Sequence, residues 1–212
     1  MDSNRIEEAI KKLKGSAKPR KFKQAIDLII VLKKKSEKEK INVDLLLHMP
    51  HKVKDVKTCA FVGDDIPSDQ LNGFSKVIKS TDFKNFDKKS IRKLVRDYDF
   101  FFAESSIMPQ MAAKFGKNLT NINKMPNPKT NTIINPGMNL QNLAKSMEKA
   151  ARVLSKKNLA VSVKVGDVES NDKDIIDNIS AVYEAVKSVL PDGENNISKV
   201  YIKTTMGEPV KL

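Results

Sequence analysis

The chain has 212 residues, of which 40% are hydrophobic, so it is long enough for one large or two small folded domains. Its 39 basic and 26 acidic residues give a net charge of +13, which favours a polyanionic partner, above all nucleic acid, over mere lysine-rich solubility. The sequence has no apolar run of the roughly 20 residues that a membrane span needs and no signal core at its start, and its single cysteine fits a reducing cytoplasm.

The first quarter predicts one helix and two strands. Ile6, Ile10 and Leu13 recur at helical spacing before Gly15. The segment "AIDLIIVLKK" is rich in β-branched residues, and "INVDLLLHMP" alternates apolar and polar residues up to Pro50. A charged loop, "KKKSEKEK", joins these two segments, so we expect them to form an antiparallel pair.

The middle of the chain alternates short apolar strands with helices. Strands are predicted at "VKTCAFVGDD", "FSKVIKS" and "DFFFAE", and helices at "DKKSIRKLVRDY", "SSIMPQMAAKF" and "NLQNLAKSMEKAARVL". This order is typical of βαβ units, which build a parallel sheet covered on both faces. The segment therefore predicts a small α/β domain.

The last third returns to α+β character. The strand "LAVSVKVGDV", the amphipathic helix "NDKDIIDNISAVYEAVKSVLPDG" and the strand "ISKVYIKTTM" follow one another. We expect one split α+β domain of residues 1–56 and 158–212, with an α/β domain of residues 57–157 inserted into it. The net charge is +8 for residues 1–57, +8 for residues 58–157 and −3 for residues 158–212.

Catalytic and metal-binding patterns are weak. Asp64 and Asp65 follow a predicted strand, but without a glycine-rich phosphate loop they are more typical of a turn or helix cap. His48 and His51 lack cysteine partners and helical zinc-ligand spacing. We therefore predict no catalytic residues, no metal and no cofactor, and treat a nucleotide-dependent enzyme on the α/β domain as a remote alternative.

Two segments have the chemistry of RNA binding. In "AKPRKFKQ", Phe22 stands among Lys18, Arg20, Lys21 and Lys23, and an aromatic ring among cations suits base stacking with phosphate neutralisation. The alternative is that Phe22 simply begins a core strand.

The second segment is "YIKTTMG". Its threonine hydroxyls suit ribose and phosphate oxygens, Met206 offers a flexible apolar surface, and Gly207 permits close backbone approach. The alternative is a strand end with a core methionine, and the residues alone leave both interpretations open.

The motifs "AKPRKFKQAIDLIIVLK", "MPHK", "DFFFAESSIMPQMAAKFGK", "KMPNP" and "YIKTTMGEP" occur in this order. Together they resemble the large-subunit ribosomal protein one family, in its archaeal and eukaryotic branch, over nearly the whole chain. The resemblance implies a split α+β domain with an inserted Rossmann-like domain. Two stretches depart from the family pattern: "TNIN" replaces Gly-Pro-Arg-Gly, and "MPHK" replaces Leu-Pro-His-Gly.

The resemblance also implies a function. It implies a monomeric, non-enzymatic protein of the cytoplasmic ribosome that binds the mobile stalk of the large-subunit rRNA beside exit-site tRNA and other ribosomal components. It further implies repression of the protein's own mRNA, with a dedicated off-ribosome repressor as the alternative. The matched RNA-contacting residues are Lys21, Phe22, Thr205, Met206 and Gly207, and we add Lys203 because it shares a strand face with Thr205.

Overall fold

The computed structural model describes residues 3–34, 41–64, 66–67, 71–135, 138–155 and 158–212. The chain forms two compact units, Met1–Lys54 with Lys149–Leu212, and Asp55–Glu148. We call them the terminal unit and the inserted unit. None of the described helices is both long and apolar enough to cross a bilayer.

The terminal unit is built on a four-stranded antiparallel sheet. Its strands are β1 (Ala25–Leu32), β8 (Ala160–Asp167), β9 (Ile197–Thr204) and β10 (Val210–Lys211), in the order β10-β9-β1-β8. Alternate residues of β1 are buried, so one sheet face packs into the core with helices α1 (Ser3–Ser16) and α5 (Asp172–Val189). The sheet therefore places the end of β9 directly beside the start of β1.

Two sequence predictions in this unit are wrong. We expected β1 and β2 (Val43–His48) to pair with each other, but β1 lies between β8 and β9, and β2 pairs antiparallel with β7 (Ala150–Ser155). We also expected one helix over "NLQNLAKSMEKAARVL", but the helix α4 covers only Leu140–Ser146, and the residues after a 3-10 turn form β7. Arg152 donates two hydrogen bonds to the Asp44 carboxylate, which ties β7 to β2.

The inserted unit confirms the predicted parallel sheet. Strands β3 (Thr58–Val62), β4 (Lys76–Lys79), β5 (Phe100–Glu104) and β6 (Ile133–Ile134) pair in the order β4-β3-β5-β6. Its helices are α2 (Lys88–Asp97), α3 (Met108–Asn121) and α4 (Leu140–Ser146). α3 runs into the atypical "TNIN" stretch, and Asn123 then adopts a positive φ of 57°, a conformation that asparagine tolerates.

The second boundary between the units differs from our expectation. We placed it near residue 157, but β7 belongs to the terminal unit, so the inserted unit ends at Glu148. The cause is the pairing of β7 with β2, because the sequence predicts a helix over the residues that form β7. The shift moves Lys149, Arg152, Lys156 and Lys157 out of the inserted unit, so residues 55–148 carry a net charge of +4, whereas residues 58–157 carry +8.

Candidate nucleic-acid interface

A cleft of about 570 Å³ lies in the terminal unit where β9 ends. One wall comes from the end of α1 and the segment that leads to β1, and the other from the chain between β9 and β10. The lining residues are Lys12, Ser16, Ala17, Lys18, Arg20, Gln24, Thr204, Met206, Gly207, Glu208, Pro209, Val210 and Lys211. The cleft therefore joins two segments that are about 180 residues apart in sequence.

The first wall is held in place by Gln24, a buried polar residue that precedes β1. Its side-chain amide donates a hydrogen bond to the Lys18 carbonyl at 2.8 Å, and its own carbonyl accepts one from the Val168 amide at 3.0 Å. These bonds fold the basic segment back against the sheet, so the side chains of Lys18 and Arg20 lie at the rim of the cleft.

The second wall is a tight turn after β9. The Thr205 amide donates to the Ala25 carbonyl at 3.0 Å, and the Thr205 hydroxyl accepts from the Ala25 amide at 3.1 Å. The Gly207 amide closes the turn on the Thr204 carbonyl at 3.2 Å. A Cβ on Gly207 would lie only 2.2 Å from the Thr204 hydroxyl oxygen, so a larger residue here would displace either the turn or the buried Thr204 side chain.

The structure excludes the core interpretation for both apolar residues. Met206 is 62% exposed and Phe22 is 52% exposed, so neither side chain belongs to the core. Met206 lines the cleft, whereas Phe22 lies on the segment that forms the first wall without lining it. Exposed apolar side chains beside cations offer a surface on which a base or a ribose could lie.

The other predicted residues lie around the cleft rather than in it. Lys21 and Thr205 are exposed but do not line it. Lys203 stands opposite Asp27 in the β1–β9 register, on the sheet face away from the core. Of the six predicted residues, only Met206 and Gly207 line the cleft.

The cleft is electropositive. Its lining carries four cations, Lys12, Lys18, Arg20 and Lys211, against one carboxylate, Glu208. Within the described residues none of these four cations forms an ion pair, whereas nearby Lys23 pairs with Glu169 at 2.8 Å, which raises the lysine pKa. Lys12 and Lys211 were missed because a solvated lysine on a helix or short strand has no local sequence signal.

Among its described residues, the inserted unit offers no comparable anion site where its strands end. At the carboxyl edge of β3 and β5, the Glu104 carboxylate accepts hydrogen bonds from the Gly63 amide at 2.7 Å and the Ser106 hydroxyl at 2.5 Å. Asp64 adds a second carboxylate there, and Asp65 lies outside the described residues. Carboxylates at this edge would repel a nucleotide phosphate. Among the residues that the structure describes, no group of acidic, histidine or cysteine side chains could hold a metal.

Comparison with known proteins gives consistent matches. The model of the Ribosomal protein L1p/L10e family matches residues 10–208. "Large ribosomal subunit protein uL1" of Pyrococcus abyssi is 34% identical over all of this chain and 96% of its own length. The proteins of the same name from Pyrococcus horikoshii and Thermoplasma volcanium are 33% and 32% identical over all of this chain and 96% and 97% of their own lengths.

Proposed function

The chain belongs to the ribosomal protein L1p/L10e family, and from this we propose that it binds the mobile stalk of the large-subunit rRNA beside the tRNA exit site. As a member of this family it is a structural, non-enzymatic component of the large ribosomal subunit and works on cytoplasmic ribosomes. The terminal unit would grip the rRNA, and the inserted unit would extend toward deacylated tRNA and assist its release.

The observation that carries this proposal is the cleft. It combines four cations that form no ion pair among the described residues, an exposed methionine and a tight glycine turn, all at the end of an antiparallel sheet. Cations neutralise phosphates, while Met206 can lie on a ribose or base face. RNA recognition by shape and 2′-hydroxyl contacts needs this mixture of neutral and positive surface.

The same cleft supports a second proposed role. A segment of the protein's own mRNA that folds like the rRNA site would present the same phosphates and riboses to Met206 and its surrounding cations. Binding there would block translation of that mRNA, so we propose autogenous repression by the free, monomeric protein.

The experiment uses Met206→Asp, which places a carboxylate where RNA phosphates would approach. We expect specific rRNA binding to fall at least 100-fold, because the new charge repels phosphate in a partly desolvated interface. Thermal stability should stay within about 2 °C of wild type because Met206 is exposed. Binding is measured by filter retention on the stalk rRNA fragment and on a scrambled hairpin.

Met138→Asp is the matched control. Met138 is also an exposed methionine, but it lies in the inserted unit. The Met138→Asp variant should bind the stalk fragment with an affinity within about twofold of the wild-type affinity. Equal losses in the two variants would mean that the added negative charge alone acts, and the cleft would not be the rRNA site. Absence of the wild-type protein from purified large subunits would contradict the ribosomal role itself.

A further inference from the structure

Helix α2 carries the whole charge excess of the inserted unit. Residues 55–148 contain 14 basic and 10 acidic residues, a net charge of +4. α2 alone has five cations and one carboxylate, also +4, so the other 84 residues of the unit, with nine of each sign, are neutral. A spread of solubilising charge would not be concentrated on one ten-residue helix.

The five cations share one face of α2. Ile91, Leu94 and Val95 are buried and face the core of the unit. At 3.6 residues per turn, the cations fall within an arc of about 140° on the opposite side. They are all exposed, and they are Lys88, Lys89, Arg92, Lys93 and Arg96. The row Lys88–Arg92–Arg96 alone extends about 12 Å along the helix.

This arrangement works against the stability of the helix. Lys88 and Lys89 occupy the first turn, where the helix dipole disfavours cations, and the N-cap residue Asp87 makes no side-chain hydrogen bond to the helix. Arg92 lies one turn from Lys88 and from Arg96, and such like-charge pairs repel. Within the described part of the chain none of the five cations has an ion-pair partner, whereas Lys11 on α1 pairs with Glu7 at 2.7 Å. A bound polyanion would remove this repulsion.

We propose that this face of α2 binds the sugar–phosphate backbone of a double-helical RNA, at a site separate from the cleft. The guanidinium groups of Arg92 and Arg96 match phosphate oxygens in a bidentate geometry. The face presents no aromatic or large apolar side chain, so it lacks both a base-stacking platform and the buried anchor that a protein partner needs. Recognition here depends on the backbone and not on base sequence.

The test uses the full chain with Met206→Asp, which disables the proposed cleft. In this background, Lys89→Gln, Arg92→Gln and Arg96→Gln are combined and compared with a control triple, Lys11→Gln, Lys145→Gln and Lys173→Gln. The control removes the same charge from exposed positions on three other helices. The probe is a 20-base-pair RNA duplex without loops, titrated at several salt concentrations.

The α2 triple should lose at least tenfold in affinity at low salt, and the slope of log K against log salt should shrink by about 2 to 3. The control triple should lose less than threefold. The melting temperature of the α2 triple should equal or exceed that of its parent because like-charge repulsion is relieved.

Equal losses in the two triples would show that net charge alone binds the duplex and would overturn the proposal. Polyglutamate is a second competitor in this experiment. If it displaces the duplex at equal charge concentration, and the α2 triple weakens the binding of polyglutamate and of duplex equally, the face would be assigned to an acidic protein instead. Unchanged rRNA binding by Met206→Asp would refute the cleft, yet it would leave the comparison of the two triples intact.

Discussion

At the scale of single residues, the end of β9 shows where the alternation of buried and exposed residues gives way to the proposed binding surface. Thr204 is buried, while Thr205 and Met206 are exposed. The sequence indicated a functional edge here but not the role of each residue. We predicted that the Thr205 hydroxyl suits ribose, yet in the free protein it accepts a hydrogen bond from the Ala25 amide. That partner lies 180 residues away, so no local pattern reveals it.

Gly207→Ala is expected to displace this turn. The new methyl group would lie 2.2 Å from the hydroxyl oxygen of Thr204, which is buried and closes the turn through its carbonyl, so we expect the turn to shift and Met206 with it. We expect about 1–3 kcal/mol of destabilisation and at least tenfold weaker binding to the stalk rRNA fragment. Urea unfolding and filter binding measure the two effects.

Gly15→Ala is the control for this change, since a Cβ on Gly15 at the end of α1 meets no atom within 4 Å. It should leave both stability and RNA binding within experimental error or slightly improved. Wild-type binding by Gly207→Ala would show that the turn geometry is irrelevant to the site.

At the scale of elements, predictions succeeded where local pattern and tertiary context agree. β3 and β5 are continuous apolar runs, and their burial on both faces follows from the parallel sheet. β7 was missed because "AARVLS" consists largely of helix-favouring residues, and pairing with β2 overrides that preference. The pairing of β1 was missed because its neighbours come from the other end of the chain.

The burial of β3 predicts a pH effect through Cys59. Burial raises the pKa of this thiol from its ordinary value of 9.0 to about 12. Well below pH 9 the thiol is protonated in both the folded and the unfolded state, so its titration does not affect stability there. Between pH 9 and 12 the unfolded chain releases the proton and the folded chain does not, so stability falls as pH rises.

We therefore expect wild type to lose about 2 kcal/mol relative to Cys59→Ala between pH 8 and 10.5. Urea unfolding of both proteins at each pH measures the difference, and taking the difference cancels the titration of tyrosines and lysines. A constant difference across this range would mean that the thiol is accessible to solvent in the folded protein.

At the scale of the whole molecule, the division into two units was predictable in kind but not in its boundary. Both ends of the chain share α+β character, and their assembly into one unit is confirmed. Residues 150–155 belong to the terminal unit and not, as predicted, to the inserted one. They form a strand that pairs with β2, whereas the sequence predicts a helix there, so the predicted boundary falls too late in the chain. The structure places the Met49 amide 2.8 Å from the Lys149 carbonyl, and the Lys149 ammonium 2.9 Å from the Pro50 carbonyl. The two connections therefore leave the terminal unit side by side.

This closeness makes the inserted unit removable. Deleting residues 55–148 and joining Lys54 to Lys149 through a short Gly-Ser linker keeps β7 paired with β2. It also keeps His51, whose backbone amide donates a hydrogen bond to the side-chain oxygen of Asn178 on α5. This bond holds the start of the shortened connection against the terminal unit. We expect a folded protein that distinguishes the stalk rRNA fragment from a scrambled hairpin, because both walls of the cleft belong to the terminal unit.

Deleting residues 57–157 instead is the matched control. This deletion removes β7, so it leaves β2 unpaired, exposes the buried Val43 side chain and strips Asp44 of Arg152. We expect that protein to unfold at a much lower temperature, or to aggregate through the open strand edge. Circular dichroism melting compares the two deletions, and filter binding tests RNA discrimination. A folded 55–148 deletion that binds both RNAs equally would show that recognition needs the inserted unit, and the cleft alone would not account for specificity.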